Sequence, residues 1–515
     1  MKRRETASSC SASITIMAAL TVMIVMSLLF SIAELARVNA LSSVATISKE
    51  RAVDSAFSEY NKLLWDEYGV LYFDGGYGSS SFAISNLSDR VDEYAVEDRG
   101  MNEVLYITRA LTQIAAYKLA TDNGGRDFIG QACDRLWITA AVSSLGTVQS
   151  NMHTSQRVST EQSGSEDKFY SALDKMNKAE KERDEKVRAA KEAAKRAKEK
   201  GEDPPEIPEV EESEEVKEFK SAARQIGTQM KGGVVGLVLG NDISISGKAM
   251  RSSAPVSTRN LNQGHGVVAT TKSEYSGAFE DVLFSEYLKE FFSCYCNPKD
   301  THGMTYELEY ILCGKRSDKE NLEATIKKLL GLRLAENVAS LFLDGTLHGT
   351  AASLGAELAT ALWVPALAPV FTILVMVAWA FVESILDIRT LLDGGKIPLL
   401  KNYSTWSSDL NSIAKCLDSN TKAKESSAGI TYQGYLNQLI YFQSSQMKAY
   451  RAMDMMEESL MISELTPNAR MDNMISKASG SVSLFAQPLF LSLVSLGKTE
   501  VGEYCFSREF AFTYY

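Results

Sequence analysis

Histidine is scarce in this chain of 515 residues: there are four, at 153, 265, 302 and 348, and none forms an HExxH or similar helical pair. No G-x-S-x-G elbow positions a serine nucleophile, and no Lys-Ser or Lys-Thr follows the glycines of GGVVGLVLGNDISIS (232–246) where a phosphate loop needs one. A basic surplus is also missing. With 54 Lys+Arg against 65 Asp+Glu the net charge is −11, which excludes nucleic acid as a partner because phosphate binding needs clustered positive charge. The seven cysteines, at 10, 133, 294, 296, 313, 416 and 505, are odd in number and unevenly spaced, unlike a disulfide scaffold. They are expected to be mostly unpaired and buried, with room for one disulfide. Cys294-Tyr-Cys296 with His302 lacks the paired spacing of structural zinc. No catalytic residue, cofactor site or metal ligand is read from the chain, and it is read as a non-enzyme.

What the sequence does have is an uninterrupted apolar run, ITIMAALTVMIVMSLLFSIA, from Ile14 to Ala33. As a helix, its length matches the hydrocarbon core of a bilayer, about 30 Å. The apolar region of a signal peptide is shorter, about 7 to 15 residues, which favours a retained anchor, although Ser31 and Ala33 make an acceptable small-x-small cleavage site. Lys2, Arg3 and Arg4 precede the run, and positive charge beside a first membrane helix stays in the cytoplasm. The rest of the chain is then extracytoplasmic. Glu34 and Arg37 mark the point where the run becomes amphipathic. Apolar or small residues recur at Val38, Leu41, Ala45, Ala52, Ala56, Tyr60 and Leu63, and neither Gly nor Pro intervenes before Gly69. One helix from Ile14 to about Tyr68 is expected, with Glu34 hydrated at the outer interface.

The expected organisation is a cytoplasmic N-terminus (1–13), a transmembrane helix (14–33), a stalk and first ectodomain part (34–165), a charged helical spacer (166–226) and a mixed, then α-rich, ectodomain (227–515). Within 34–165, residues 101–120 read as an amphipathic helix stopped by Asp122-Asn123-Gly124-Gly125. The spacer intermixes acidic and basic residues at i,i+4 spacing without a Leu or Ile seam, as in a solvated single helix. Residues 227–300 read as turn and strand, GGVVGLVLGNDISIS above all. Further on, Ser317-Asp318-Lys319-Glu320 makes a capping box for a helix with a stripe at Leu322, Ile326, Leu329 and Leu330.

A second long apolar segment, Leu358 to Val382, is broken by Pro365 and Pro369 and continues through Glu383, Asp387 and Arg389. It has length enough to cross a membrane. A buried hairpin at 358–392 is the preferred alternative, covered by the Leu322–Leu330 stripe and by the helix from Tyr432 to Met461.

Several blocks carry a resemblance: SITIMAALTVMIVMSLLFSIAELARVNAL, AVDSAFSEYNKLLWDEYGVLYFD (52–74), YELEYILCGKRSDKENL (306–322), AWAFVESILDIRTLLDGGKIPLLKNYSTW (378–406) and ITYQGYLNQLIYF (430–442). In this order they resemble an uncharacterised family of bacterial membrane proteins, mainly Gram-positive, linked to Tad (Flp) pilus loci and distantly similar to the TadE and TadG pilin-like proteins. That resemblance implies a membrane-anchored structural or accessory component of a pilus or export apparatus, with the lipid bilayer and other assembly proteins as partners. Precursors cut by a prepilin peptidase have Gly at the cut and a Glu five residues into the mature chain, whereas CSASIT here offers Ala12 and no early Glu, so an uncleaved anchor is expected. The expected fold is mainly α with minor α+β content: a single-pass transmembrane helix, a long stalk and a large helical ectodomain. Competing readings are an extracytoplasmic sensor or adhesin and an envelope enzyme whose site assembles only on folding.

Overall fold

A computed structural model of the chain describes residues 5–96, 104–139, 145–200, 212–232, 234–239, 245–269, 277–299, 303–410, 413–418, 420–490 and 502–514. Lys2, Arg3, Arg4 and His302 lie outside them. The protein is mainly helical, with one antiparallel sheet, and it forms two compact units. One unit comprises Met1–Asp134, Thr258–Glu274 and Leu460–Tyr515; the other comprises Arg135–Ser257 and Tyr275–Ser459. The expected boundaries at 165/166 and 226/227 are therefore wrong. Both fall inside the second unit, and the first unit joins the two ends of the chain.

The first unit is a long helix on a sheet. Helix α1 (Glu5–Phe57) is followed by α2 (Lys62–Tyr68), the short strand β1 (Phe73–Asp74), α3 (Ser85–Val96), β2 (Arg109–Leu119) and the start of α4 (Asp122–Thr139). The chain returns later with β3 (Met474–Ala486) and β4 (Tyr504–Thr513). β3 is central. It pairs antiparallel with β2 on one side (Arg109↔Phe485 to Leu119↔Ile475) and with β4 and β1 on the other (Lys477↔Thr513, Phe73↔Ile475).

Leu41, Ala45, Ala52, Val53, Ala56 and Phe57 form the buried face of α1 and share one core with Leu87 and Val91 of α3, Val482 and Leu484 of β3 and Phe510 of β4. Phe57 stacks on Phe512 at 4.0 Å between ring centres. At a bulge in β2 near Ile114, Gly480 lets the strands close up: a Cβ there would lie 2.1 Å from the Gln113 carbonyl oxygen.

Two expectations fail in this unit. The helix does not run to Tyr68; it ends at Phe57, and Asn61 restarts a separate helix by accepting from the Leu64 N–H. Residues 109–119 are a strand, because Ile114, Ala116 and Leu119 find a sheet partner in β3 that lies some 360 residues away in sequence and that local periodicity cannot reveal.

The second unit is helical: α5 (Leu145–Glu161), α6 (Ser165–Lys200), α7 (Glu214–Gly232), α8 (Val234–Leu239), α9 (Ala278–Phe291), α10 (Glu307–Cys313), α11 (Asp318–Leu343), α12 (Gly345–Ala361), α13 (Ala368–Leu392), α14 (Ile413–Asp418), α15 (Tyr432–Tyr441) and α16 (Ser445–Ile462), which ends just beyond it. The centre is α13, buried at every position from Leu374 to Leu392 and packed by α11, α12 and α6. Gly355 of α12 sits so close to α13 that a Cβ would meet the Thr372 nitrogen at 2.6 Å. The hairpin at 358–392 is thus a core element of this unit. The expected cover from Tyr432–Met461 is not what encloses α13, since α15 packs chiefly on α9 and α10.

Other corrections follow from burial. GGVVGLVL is helical at Val234–Leu239 rather than strand. The charged segment is not simply a spacer: Phe169, Ala172, Met176 and Ala179 of α6 are buried at helical spacing, and only its later turns are solvated. Ser317 does cap α11, accepting from the Glu320 N–H at 3.3 Å. No disulfide forms among the described residues, and the cysteines are not mostly buried, since Cys296 and Cys505 are exposed.

Candidate functional site: an apolar helix and its polar collar

From Ile14 to Ile32 the large side chains of α1 are exposed, with Ile14 at 67% and Ile24 at 69% of full accessibility. Apart from Phe490 beside Phe30, nothing among the described residues of the first unit covers them. The continuous helix from Glu5 to Phe57 is about 80 Å long, and its second half is the one seated on the sheet. An exposed apolar cylinder of this length does not persist in water, because its side chains would leave hundreds of square ångströms of hydrocarbon hydrated. By length and composition it can cross a membrane, as an anchor or as a signal sequence.

The transition between the two halves is a polar collar. Glu34 is only 2% exposed and Arg37 only 4%, contrary to the expected hydrated carboxylate. Arg37 Nη1 donates to Glu34 Oε1 at 2.9 Å and to the Gln487 carbonyl at 2.8 Å, while Nε donates to the Val104 carbonyl at 2.6 Å. The other Glu34 oxygen accepts from the backbone N–H groups of Leu489 (3.2 Å) and Phe490 (2.6 Å). Tyr504 also reaches Glu34, and burial followed by that carboxylate's charge pushes its hydroxyl up. Phe30 stacks on Phe490 at 6.5 Å, and Ala33 is half-buried. The carboxylate is buried because its partners are backbone groups from 487–490, a segment far away in sequence. Of the residues expected to fix topology, the structure brings Glu34 and Arg37 together and leaves Ile14 and Ala33 at the two ends of the apolar stretch.

Acid–base chemistry gathers elsewhere, inside the second unit, at residues the sequence reading passed over. Arg333 donates to Asp387 Oδ2 from Nη2 (2.8 Å) and Nε (3.1 Å), and to Glu336 Oε2 from Nη1 (2.6 Å). Lys401 pairs with Asp387 at 2.5 Å and also with Glu383. Glu383 further accepts from the Ser407 and Ser408 amides and the Ser408 hydroxyl. The side chains of all five charged residues are fully buried. Burial alone would raise the Asp387 carboxyl, but Lys401 and Arg333 together hold it below its usual value. The sequence signal was present: Glu383 and Asp387 stand four apart where a long apolar run continues without a break, and a charge buried there must find a partner inside.

Cys294 and Cys296 are poor nucleophiles. Cys296 borders a cleft of about 500 Å³ with Tyr295, Tyr306 and Asp393, and its thiol donates to the carbonyls at the end of α13. Burial, then the charges of Glu309 and Asp393, push it up to about 12. Cys294 is pushed higher still by burial. Behind them Glu309, raised by burial to about 7, accepts from the Tyr295 N–H and the Tyr432 hydroxyl. No three His, Cys, Asp or Glu side chains converge as metal ligands among the described residues.

No curated protein and no solved structure matches the chain. The sequence profile of a family of unknown function does match, over residues 211–484, from just before α7 into β3. That match takes in over half of the 515 residues, including the charged cluster and α13 but not the apolar helix, and on that extent the chain belongs to the DUF5702 family.

Proposed function

We propose that this protein is a membrane-anchored structural or accessory component of a Tad-type pilus or related export apparatus. It would act in the manner of a pseudopilin, with a cytoplasmic N-terminus and both units extracytoplasmic. The observation that carries the reading is the single helix α1, whose first half is exposed hydrocarbon and whose second half is one layer of a folded unit. Such a helix transmits position rigidly between a bilayer and a protein lattice, which is what an assembly subunit needs and an enzyme does not. A retained anchor is favoured over a signal peptide by the collar. The residues around the candidate cleavage point belong to an unbroken helix, and Phe30, on the leader side of it, already packs on Phe490. Extracytoplasmic placement rests on Lys2, Arg3 and Arg4 before the apolar run. The apolar half packs with lipid and neighbouring membrane helices, and the exposed outer side of the stalk, with Leu35 and Ile47 on it, offers a surface to partner subunits.

Alkaline phosphatase and a cytoplasm-only fluorescent protein, each fused after Tyr515, test the topology. Phosphatase activity without fluorescence is the expected result, and the reverse overturns the orientation and the pilus reading with it. Sequencing the mature N-terminus tests retention: a start near Glu34 would mean that the apolar run is removed.

A further inference from the structure

We propose that helix α5 is held in the second unit by a proton shared between Glu336 and Ser155, so that it is firmly docked in mild acid and loosens as the pH rises to neutrality. Three observations meet at this point.

The first is a count of hydrogens. Ser155 Oγ lies 2.7 Å from Glu336 Oε1 and 2.8 Å from Gln438 Oε1, yet a hydroxyl has one hydrogen to donate. If Ser155 donates to Gln438, the contact with Glu336 is a hydrogen bond only when the carboxyl itself supplies the hydrogen.

The second is a count of charges, which reaches the same assignment without reference to the amide. The groups around Glu336 are Arg333 and Asn337 of its own helix, Asp387 of α13 with Lys401 and Glu383 behind it, Ser155 of α5, and Tyr435 and Gln438 of α15. Two cations face three carboxylates, all fully buried. One added proton makes the cluster neutral. Asp387 has both cations and the Asn337 amide, and Glu383 has Lys401 and three donors from Ser407 and Ser408. Among the described residues Glu336 has one cation, Arg333, whose Nη1 also serves the Pro398 and Leu399 carbonyls and Tyr435, and beyond it the contact with Ser155. It is the least compensated of the three, and burial raises its carboxyl from 4.5 to about 7.

The third is where the tie stands on α5. Among the described residues of this helix Met152, Ser155 and Val158 are buried, Val158 in a small patch with Ala335, Ala339 and half-buried Leu400, and the His153 ring meets Tyr441 at 6.5 Å beside them. The polar tie stands in the middle of that face.

The sign follows. Docked α5 keeps the proton up to about pH 7, whereas an undocked, hydrated Glu336 releases it near 4.5. Docking is therefore strongest below pH 4.5, weakens up to about pH 7 and is level above that. Hydrogen exchange of the full-length protein in detergent micelles, corrected for intrinsic pH dependence, reads this directly. Between pH 5.5 and 8.5 the protection of 145–161 is expected to fall about 30-fold while α13 stays protected. Glu336→Gln carries its hydrogens permanently and is expected to hold the acid level throughout. Should that variant lose α13 protection, Ser155→Ala decides the matter: the carboxyl stays buried and keeps a pH step, but α5 loses its tie and is less protected than in the wild type in acid. A wild-type α5 with no pH dependence overturns the proposal, as does a folded Glu336→Gln that retains the wild-type step, or in its stead a Ser155→Ala as well protected in acid as the wild type.

Discussion

Replacing Lys401 with methionine isolates the electrostatic role of the buried cluster, because the thioether fills most of the volume of the lysine stem and removes only the cation. The Lys401 ammonium is shared by Glu383 and Asp387, and without it these two carboxylates face Arg333 alone. Removing one partner of a buried ion pair costs about 3 to 5 kcal/mol, far more than an intact pair contributes over an apolar substitute, because the charge left behind is dry and unpaired. The loss should appear in the unfolding transition of the second unit. Trp379 and Trp406 report on it, since their rings meet edge to face at 5.2 Å and donate to the carbonyl and hydroxyl of Ser408, which itself holds Glu383. Urea unfolding at pH 8, followed by tryptophan fluorescence, is expected to show the free energy of unfolding lowered by that amount, as a lower midpoint with the slope unchanged.

A pH series sharpens the test. In the wild type Asp387 is held below its usual 3.8, so its contribution is present above that pH and fades as the pH falls through its folded value. In Lys401→Met the Asp387 carboxyl loses the larger of the two charges that hold it down and titrates higher, and the variant gains stability on acidification by taking up a proton. The two proteins should converge from pH 8 toward pH 5. A loss below about 1 kcal/mol at pH 8, or a gap that widens in acid, would refute the reasoning.

Three further outcomes are expected. Gly480→Ala should lower the stability of the first unit by about 1 to 3 kcal/mol, since its methyl group collides with the Gln113 carbonyl, while Gly349→Ala on open helix surface should stabilise the second unit by about 0.5 to 1 kcal/mol; chemical unfolding of each variant measures both. Ile24→Lys, at the middle of the apolar stretch, should cost about 2.5 to 3.5 kcal/mol of insertion and move protein from the membrane to the soluble fraction after alkaline extraction. Cys296 should alkylate at pH 8 at least about tenfold more slowly than a free small-molecule thiol and should accelerate as the pH rises toward 12, which mass spectrometry of the labelled peptide would follow.

The parts legible in the sequence were those whose information is local. The apolar face at Leu41, Ala45, Ala52 and Ala56 and the cap at Ser317 each depend on residues within a turn or two, and each is where the pattern places it. The strand at 109–119 was misread because its partner is β3, and an eleven-residue stretch with small and apolar residues suits either a helix or a strand until something lies beside it. The break after Phe57 has no Gly or Pro to announce it; the Asn61 cap and the pairing of Tyr60 with Phe73 end the helix. The collar was half legible. Glu34 and Arg37 stand three apart, as an intrahelical pair should, but their burial comes from carbonyls and amides at 104 and 487–490 that no local pattern links to them.

The interleaving of the two units also dictates an order of events. The central strand of the sheet, β3, is made after the whole second unit, and α1 with β2 has no sheet to complete until then. During synthesis the small-residue face of α1 therefore waits with α3 against it but no β3 or β4, through more than three hundred residues, while the helical unit already has every segment that it needs. Closing β3 between β2 and β4 is the last commitment, so a chain cut short before Met474 would have its apolar helix and every segment of the helical unit but no sheet on which to seat the second half of α1.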